Sequence, residues 1–317
     1  MTLRTTAIAV ASILAMSGAA QATELTVMAY NIWGGGGNEN KPIDETVAVI
    51  KAAGADIVAV SETRLEGDPC TADSCPPRGT SVAAKLAEAL GFHYYDQTES
   101  NPAIWANAIV SRYPIVKPTQ DDLGVAIDVG GRMVYVFSVN LDDAPYQPYQ
   151  LLGIEYGDAP FFKAADEAVK SAEATRGKSF DALIADANEA RDAAAVFIAG
   201  DFNEPSHRDW TDATVKAGSQ PLAVAWPGTT KLEAAGFIDT FRAIFPDAAA
   251  KPGITWTPTT DAADPEAHLD RIDFVFARAP SLKVLSTAVV GEKRPEADIV
   301  VTPWPSDHRA VVSKVEF

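Results

Sequence analysis

Short apolar runs recur along this chain, separated by stretches with helical spacing, and several of them stop on a carboxylate or an amide. Such runs predict strands, and those over 56–61 and 195–199 read as buried. Residues 25–30, 56–61, 108–111, 133–141, 195–199, 273–277, 282–290 and 308–316 are of that kind. Helical periodicity marks residues 43–53, 81–90 (closed by Gly91), 161–175 and 180–193. Strands and helices interleaved from end to end predict the α/β class. Residues 34–40 are rich in glycine but lack the phosphate-loop pattern, and they read as a flexible loop.

The length of 317 residues, with 47% apolar and 22% charged residues, is enough to bury a large core. Residues 1–22 are expected to be a signal peptide: Arg4 precedes an apolar stretch over 7–16, and Ala20-Gln21-Ala22 fits the small-x-small cleavage rule. That apolar stretch is too short to span a bilayer, and no transmembrane segment is expected elsewhere. Residues 23–317 are expected to form a single domain, monomeric, and secreted or periplasmic. A formal charge of −17 disfavours non-specific binding to nucleic acid, which usually meets a basic face. The two cysteines, Cys70 and Cys75, are expected to pair as a local disulfide in an oxidising compartment.

Polar side chains cluster at the ends of the expected strands. Asn31 and Glu62 follow the first two, Asp201 and Asn203 follow the 195–199 run, and Asp307 and His308 stand at the start of the last. Polar residues at strand ends can converge on one rim of a sheet, where α/β sites are built. Glu, Asp and Asn are hard oxygen ligands that suit magnesium, manganese or calcium; zinc would call for more imidazole or thiolate. Each residue alone has a local explanation. Asn31 can cap a turn, Glu62 can be a solvated strand end, and Asp201-Phe202-Asn203 can be an Asx turn.

Several blocks occur in a fixed order: Met28-Ala29-Tyr30-Asn31-Ile32-Trp33, Ser61-Glu62-Thr63, Asn107-Ala108-Ile109-Val110-Ser111-Arg112-Tyr113-Pro114, Gly200-Asp201-Phe202-Asn203, Asp270-Arg271-Ile272-Asp273-Phe274 and Ser306-Asp307-His308. Together they resemble the endonuclease/exonuclease/phosphatase superfamily, which includes pancreatic deoxyribonuclease, neutral sphingomyelinases and inositol polyphosphate phosphatases. The resemblance implies a four-layer α/β sandwich, two mixed sheets face to face with helices outside. It implies Glu62 as the principal metal ligand, with Asn31 and Asp307 near the same Mg2+ (or Mn2+ or Ca2+). It casts Asp201 as the carboxylate that orients the attacking water, Asn203 as its amide partner on the phosphate, His308 as the catalytic histidine and Asp273 as the residue that holds it.

One position departs from that pattern. Ser138-Val139-Asn140-Leu141 puts Asn140 where the superfamily usually has a histidine. An amide can donate to phosphate but carries neither proton nor charge. The stretch 200–210 also resembles a recurring segment of one secreted bacterial branch, in which His207 would line the substrate pocket; a locally bonded His207 is the competing reading. Tyr146 and Tyr149 are candidates for an aromatic wall beside the site, or else for a proline-stiffened loop packed on itself. Trp226 and Trp256 read as core.

The expected activity is metal-dependent hydrolysis of a phosphomonoester or phosphodiester, on a small-molecule or lipid-headgroup substrate. Two alternatives remain: a catalytically impaired protein that keeps the metal and phosphate pocket, and a secreted nuclease. If the leader and the cysteine pairing are read correctly, thiol titration of the exported, unfolded protein finds no free thiol; two reactive thiols per chain would refute the pairing.

Overall fold

A computed structural model describes residues 22–67, 77–97, 107–190, 192–261, 263–264 and 267–317. Residues 1–21 of the expected leader, and both cysteines, lie outside the described residues. The strands are β1 (Glu24–Asn31), β2 (Ile57–Ser61), β3 (Leu65–Glu66), β4 (Pro77–Arg78), β5 (His93–Asp96), β6 (Ala108–Ser111), β7 (Ile115–Pro118), β8 (Gly124–Val129), β9 (Arg132–Asn140), β10 (Ala195–Asp201), β11 (Ile238–Asp239), β12 (Asp273–Arg278), β13 (Lys283–Gly291), β14 (Ile299–Val300) and β15 (Ala310–Glu316). The helices are α1 (Ile43–Ala53), α2 (Ala83–Leu90), α3 (Gln147–Leu152), α4 (Ala165–Glu189), α5 (Asp212–Ala217), α6 (Pro227–Ala234) and α7 (Thr240–Ile244).

Two mixed sheets carry the fold. One runs β14-β13-β15-β1-β2-β6-β5 and the other β11-β12-β10-β9-β8-β7. Alternation along the strands sorts the core into layers. Leu25, Val27 and Ala29 of β1 meet Phe197 and Ala199 of β10 and Val275 of β12 in the layer between the sheets. Met28 and Tyr30 face the other way and pack with Val49, Ile50 and Leu86 from α1 and α2. On the far side, Phe137, Ile198 and Phe274 pack with Phe180 and Leu183 of α4 and Leu232 of α6. The result is the expected four-layer α/β sandwich, and both faces of the central strands are dry. That is why they read as unbroken apolar runs. Among the described residues, no helix is long and apolar enough to cross a membrane.

Two expectations need correction. Residues 161–175 and 180–193 are not two helices: α4 runs unbroken over Ala165–Glu189. Gly177, which lies between those two stretches, costs a helix about 1 kcal/mol relative to alanine. Burial of Ala168, Ala172, Phe180, Leu183 and Ala187 along one face offsets it, as does the buried Arg176, which donates to the Asp142 carbonyl at 2.8 Å. Nor are residues 34–40 a flexible loop. They form a 3-10 turn with Gly34, Gly35 and Gly36 buried and left-handed. A Cβ at Gly34 would stand 2.7 Å from Leu65 Cδ2, so the glycines let two loops close together.

The tightest backbone approach is at Gly200, where φ is +137°. A Cβ there would lie 2.1 Å from the Val139 carbonyl oxygen of the neighbouring strand. Gly200→Ala is therefore expected to cost more than ~3 kcal/mol. Chemical denaturation would register it as a fall in the midpoint; an unchanged midpoint would show that β9 and β10 can move apart freely.

Candidate active site

The alternation that builds the inner layer also aims the polar residues. Asn31 continues the inward series Leu25, Val27, Ala29, and Asp201 continues Phe197, Ala199. Asp273 precedes Val275 with the same parity, and Asn140 follows Val134 and Val136. The register sets Asp201 beside Asn140 on one flank and Asp273 on the other. These side chains therefore meet between the sheets at one rim. Glu62 would point outward if β2 simply continued. Its left-handed backbone, φ +54°, turns it back toward Asn31 instead.

Hydrogen bonds connect the group across both sheets. Asn31 Nδ2 donates to Glu62 Oε1 at 2.9 Å and to Asp201 Oδ2 at 3.1 Å. The other Asp201 oxygen accepts from the Asn203 backbone N–H at 2.9 Å, and Asn203 Nδ2 donates to the Leu141 carbonyl at 2.9 Å. His308 Nδ1 lies 2.9 Å from Asp273 Oδ2, and its Nε2 lies 3.6 Å from Asp201 Oδ2. Ser306 Oγ donates to the Asn31 carbonyl at 2.8 Å and accepts from the His308 N–H at 3.0 Å, which fixes the loop bearing Asp307. Asn31, Asp201, Asp273 and His308 are buried, while Glu62, Asp307, Asn140 and Asn203 keep an edge toward solvent.

Burial without enough positive charge governs the titration. Burial first, and then the Asp307 charge, push the Glu62 carboxyl up to about 8 even though its outer edge is open. Burial carries Asp201 up to about 7 against the lowering effect of His308, and Asp307 up to about 6. Burial alone would lower His308, but Asp273, Asp201 and Asp307 outweigh it and raise the imidazole well above its usual range. One oxygen of Asp307 and one of Asp273 are buried with no hydrogen-bond partner. Such a set fits a divalent cation, which would supply the missing charge.

Two groupings can hold one. Asp201, Asp273 and His308 offer ligand atoms within 4.8 Å of one another. There His308 already bonds Asp273 through Nδ1, so it would offer Nε2 alone. Glu62 and Asp307 would offer carboxylate oxygens and Asn31 its amide oxygen, which accepts from the Trp33 N–H at 3.1 Å; these are hard donors of the kind magnesium, manganese and calcium take.

The remaining expected residues stand elsewhere. His207 faces α6: Nδ1 lies 2.8 Å from Thr229 Oγ1 and Nε2 lies 3.2 Å from Glu233 Oε2, the locally bonded alternative. Tyr146 is buried and donates to Asp270 Oδ2 at 2.8 Å, so it stands behind the aromatic wall rather than in it. The wall consists of Tyr149, Tyr156 and the half-buried Trp256, whose ring centroid is 6.4 Å from that of His308. Trp226 is core, as expected. Sequence reasoning missed Trp256 at the site, and it missed Thr255, whose hydroxyl accepts from the Ile272 and Asp273 N–H groups at 3.1 Å each. The Asp270–Asp273 block hinted at a held backbone but not at its partner.

A carboxylate–imidazole rim between two mixed sheets defines a class of α/β hydrolase sandwiches. The chain belongs to the Endonuclease/Exonuclease/phosphatase family, which its residues 28–308 match. It is 28% identical over 311 residues to the uncharacterized Caenorhabditis elegans protein F14F9.5, covering 92% of this chain and 91% of that one. Its fold is similar to that of an endonuclease/exonuclease/phosphatase from Beutenbergia cavernae (TM-score 0.52, 21% identity, 93% of this chain and 72% of that one). It is also similar to the 3′ phosphatase NExo from Neisseria bound to product DNA hairpin (TM-score 0.54, 19% identity, 91% and 98%).

The raised carboxyls set a pH dependence. Glu62 holds its proton up to about 8 in the folded chain, against 4.5 when unperturbed, so across that window the folded state binds more protons than the unfolded one. Stability in EDTA is therefore lost as pH rises through the window. Magnesium or manganese should raise the melting temperature most at its upper end, where the ion no longer competes with protons. A metal-induced shift that is equal at both ends would contradict this; Glu62→Gln should flatten the difference.

Proposed function

We propose that this chain is an exported, metal-dependent phosphoric-ester hydrolase acting on phosphomonoesters or phosphodiesters of small molecules or lipid headgroups, through one catalytic domain over residues 23–317. The observation that carries the reading is the juxtaposition of the Asp273–His308–Asp201 row with the oxygen set of Glu62, Asp307 and Asn31. A divalent ion held by that oxygen set would neutralise phosphoryl charge and stabilise the leaving oxygen. Asp201, positioned by the Asn31 amide and the Asn203 N–H, orients a water in line with the phosphorus and accepts its proton. As the water oxygen bonds to phosphorus, the ester P–O bond breaks. His308, kept protonated by Asp273, gives its proton to the leaving oxygen. The amides of Asn203 and Asn140 donate to phosphoryl oxygens.

Membership of the family supports the hydrolase reading, and the acidity of the chain supports a small substrate over a nucleic acid. Asn140 favours one competing reading, a protein that binds phosphate and metal without turnover, because the site then has a single imidazole. Release of p-nitrophenol from p-nitrophenyl and bis-p-nitrophenyl phosphate, with magnesium or manganese and after EDTA, separates the two.

Chelation should abolish release and metal restore it, with Glu62→Gln losing most of the response. Activity that survives thorough chelation would remove the metal from the mechanism. His308→Ala should lower turnover by ~10²–10⁴-fold. Asn140→His should raise turnover on alkyl phosphates and matter less for p-nitrophenol, which leaves without a proton. A fall on every substrate would show that the amide serves as it stands, and metal binding with no release in either form would support the binding protein.

A further inference from the structure

A cleft of about 380 Å³ opens where β9 ends, and Asn140 lies in its wall. Asn140 is also the strand neighbour of Asp201, so the cleft begins beside the reacting centre. One part of the lining is apolar: Leu123, Val139, Leu141 and Leu183. Another is rich in acceptors. Asp121 and Asp122 bring carboxylates, Asn107 and Asn140 bring amides, and Ser179 brings a hydroxyl. Asn107 is anchored through Nδ2, which donates to the Ser138 carbonyl at 3.2 Å, while its Oδ1 is buried with no hydrogen-bond partner. Among the described residues, no lysine, arginine or histidine lines the cleft.

That distribution of groups selects a ligand. A second phosphate or a nucleic-acid backbone would meet carboxylates with no cation to offset them. A simple alkyl or aromatic group would displace water from the exposed Asp121 carboxylate and from the Ser179 hydroxyl without replacing its hydrogen bonds. A hydroxylated ring meets both demands: its C–H face covers the leucines and valine, and its hydroxyls bond to Asp121 and Ser179. We propose that this cleft holds the alcohol part of the substrate, and that this alcohol is a neutral polyol ring, a sugar or cyclitol carrying a single phosphate. The proposal rests on the hydrolase reading for the position of the phosphate, but the cleft can be tested without turnover.

Ala182 lines the cleft from an exposed position on α4, so Ala182→Phe fills it without disturbing the core. Asp121, exposed in the turn before β8, can be changed to alanine to remove a hydroxyl acceptor. With magnesium present, hexose 1-phosphate, inositol monophosphate, hexose bisphosphate, p-nitrophenyl phosphate and a DNA oligonucleotide are compared as substrates. The two polyol monophosphates should be preferred, and their relative rates distinguish sugar from cyclitol. Ala182→Phe should cut kcat/KM for them by about tenfold or more relative to p-nitrophenyl phosphate, through KM, with Asp121→Ala acting in the same direction.

Equal losses on polyol and p-nitrophenyl substrates, or a preference for the bisphosphate or the oligonucleotide, would overturn the cleft while leaving the hydrolase intact. If no ester is hydrolysed, the hydrolase reading fails, and saturation-transfer NMR with hexose 1-phosphate and magnesium then decides the cleft alone. A sugar-ring signal that Ala182→Phe abolishes sustains the proposal, and its absence from the unaltered protein refutes it.

Discussion

The site depends on how the two sheets are closed at one rim. Ser61 at the end of β2 donates to the Val139 carbonyl of β9 at 3.2 Å, and Ser138 of β9 donates to the Val60 carbonyl of β2 at 3.0 Å. These reciprocal bonds run between sheets, not within one, and both serines are buried. The Asn31 amide then spans the same gap to Asp201. Below this line the inner faces are mainly apolar, apart from the hydroxyls of Thr240, Thr287 and Ser313, which bond to one another; above it they are polar. Close packing at Gly200 keeps β9 and β10 near enough for Asp201 and Asn140 to share one edge. A small opening of the rim would part Glu62 and Asn31 from Asp201, and with them the two halves of the proposed chemistry.

A second buried ionic cluster shows why the rim reads as a site and not as structure. Arg271 bonds both Asp209 and Asp239, at 2.7 to 3.1 Å, and Arg242 Nε bonds Asp209 at 2.6 Å. Two guanidinium groups face two carboxylates there, and the remaining Arg242 donors reach the carbonyls of Phe245, Lys251 and Pro252. Burial would raise Asp239, but Arg271 outweighs it and the carboxyl is held below its ordinary range. At the rim the same burial wins, because Glu62, Asp201, Asp273 and Asp307 face one imidazole. A balanced network stabilises a fold, whereas an unbalanced one persists where something else supplies the charge.

Much of this was legible in the sequence because burial on both faces produces continuous apolar runs, and a polar residue that ends such a run is conspicuous. Asn31, Glu62, Asp201, Asp307 and His308 were visible in that way, and Asp273 through the block around it. What escaped the sequence was long-range. The turn of Glu62 into the gap needs a left-handed backbone that composition does not announce. Trp256 read as core because nothing local shows that its strand-like segment lies between Asp270 and His308. His207 and Tyr146 carried the right chemistry, but Thr229, Glu233 and Asp270 claim their polar atoms. The stretches 161–175 and 180–193 read as two helices because the partners that bury one continuous face of α4 are distant in sequence.

Asn140 links these levels. On β9 it continues the inward series of Val134 and Val136, so its place is fixed by strand parity and register with Asp201. Its chemistry is not fixed in that way. An imidazole there would add a second cation to the rim and lower the electrostatic demand on any bound metal. It would also place a positive charge at the mouth of a cleft otherwise lined with acceptors. The neutral amide leaves His308 as the proton source in the proposed mechanism and keeps the cleft mouth uncharged. The same substitution that weakens phosphate attraction thus favours an uncharged, hydroxyl-bearing neighbour over an anionic one. In an acidic chain, selectivity of that kind follows from withholding charge at one strand end.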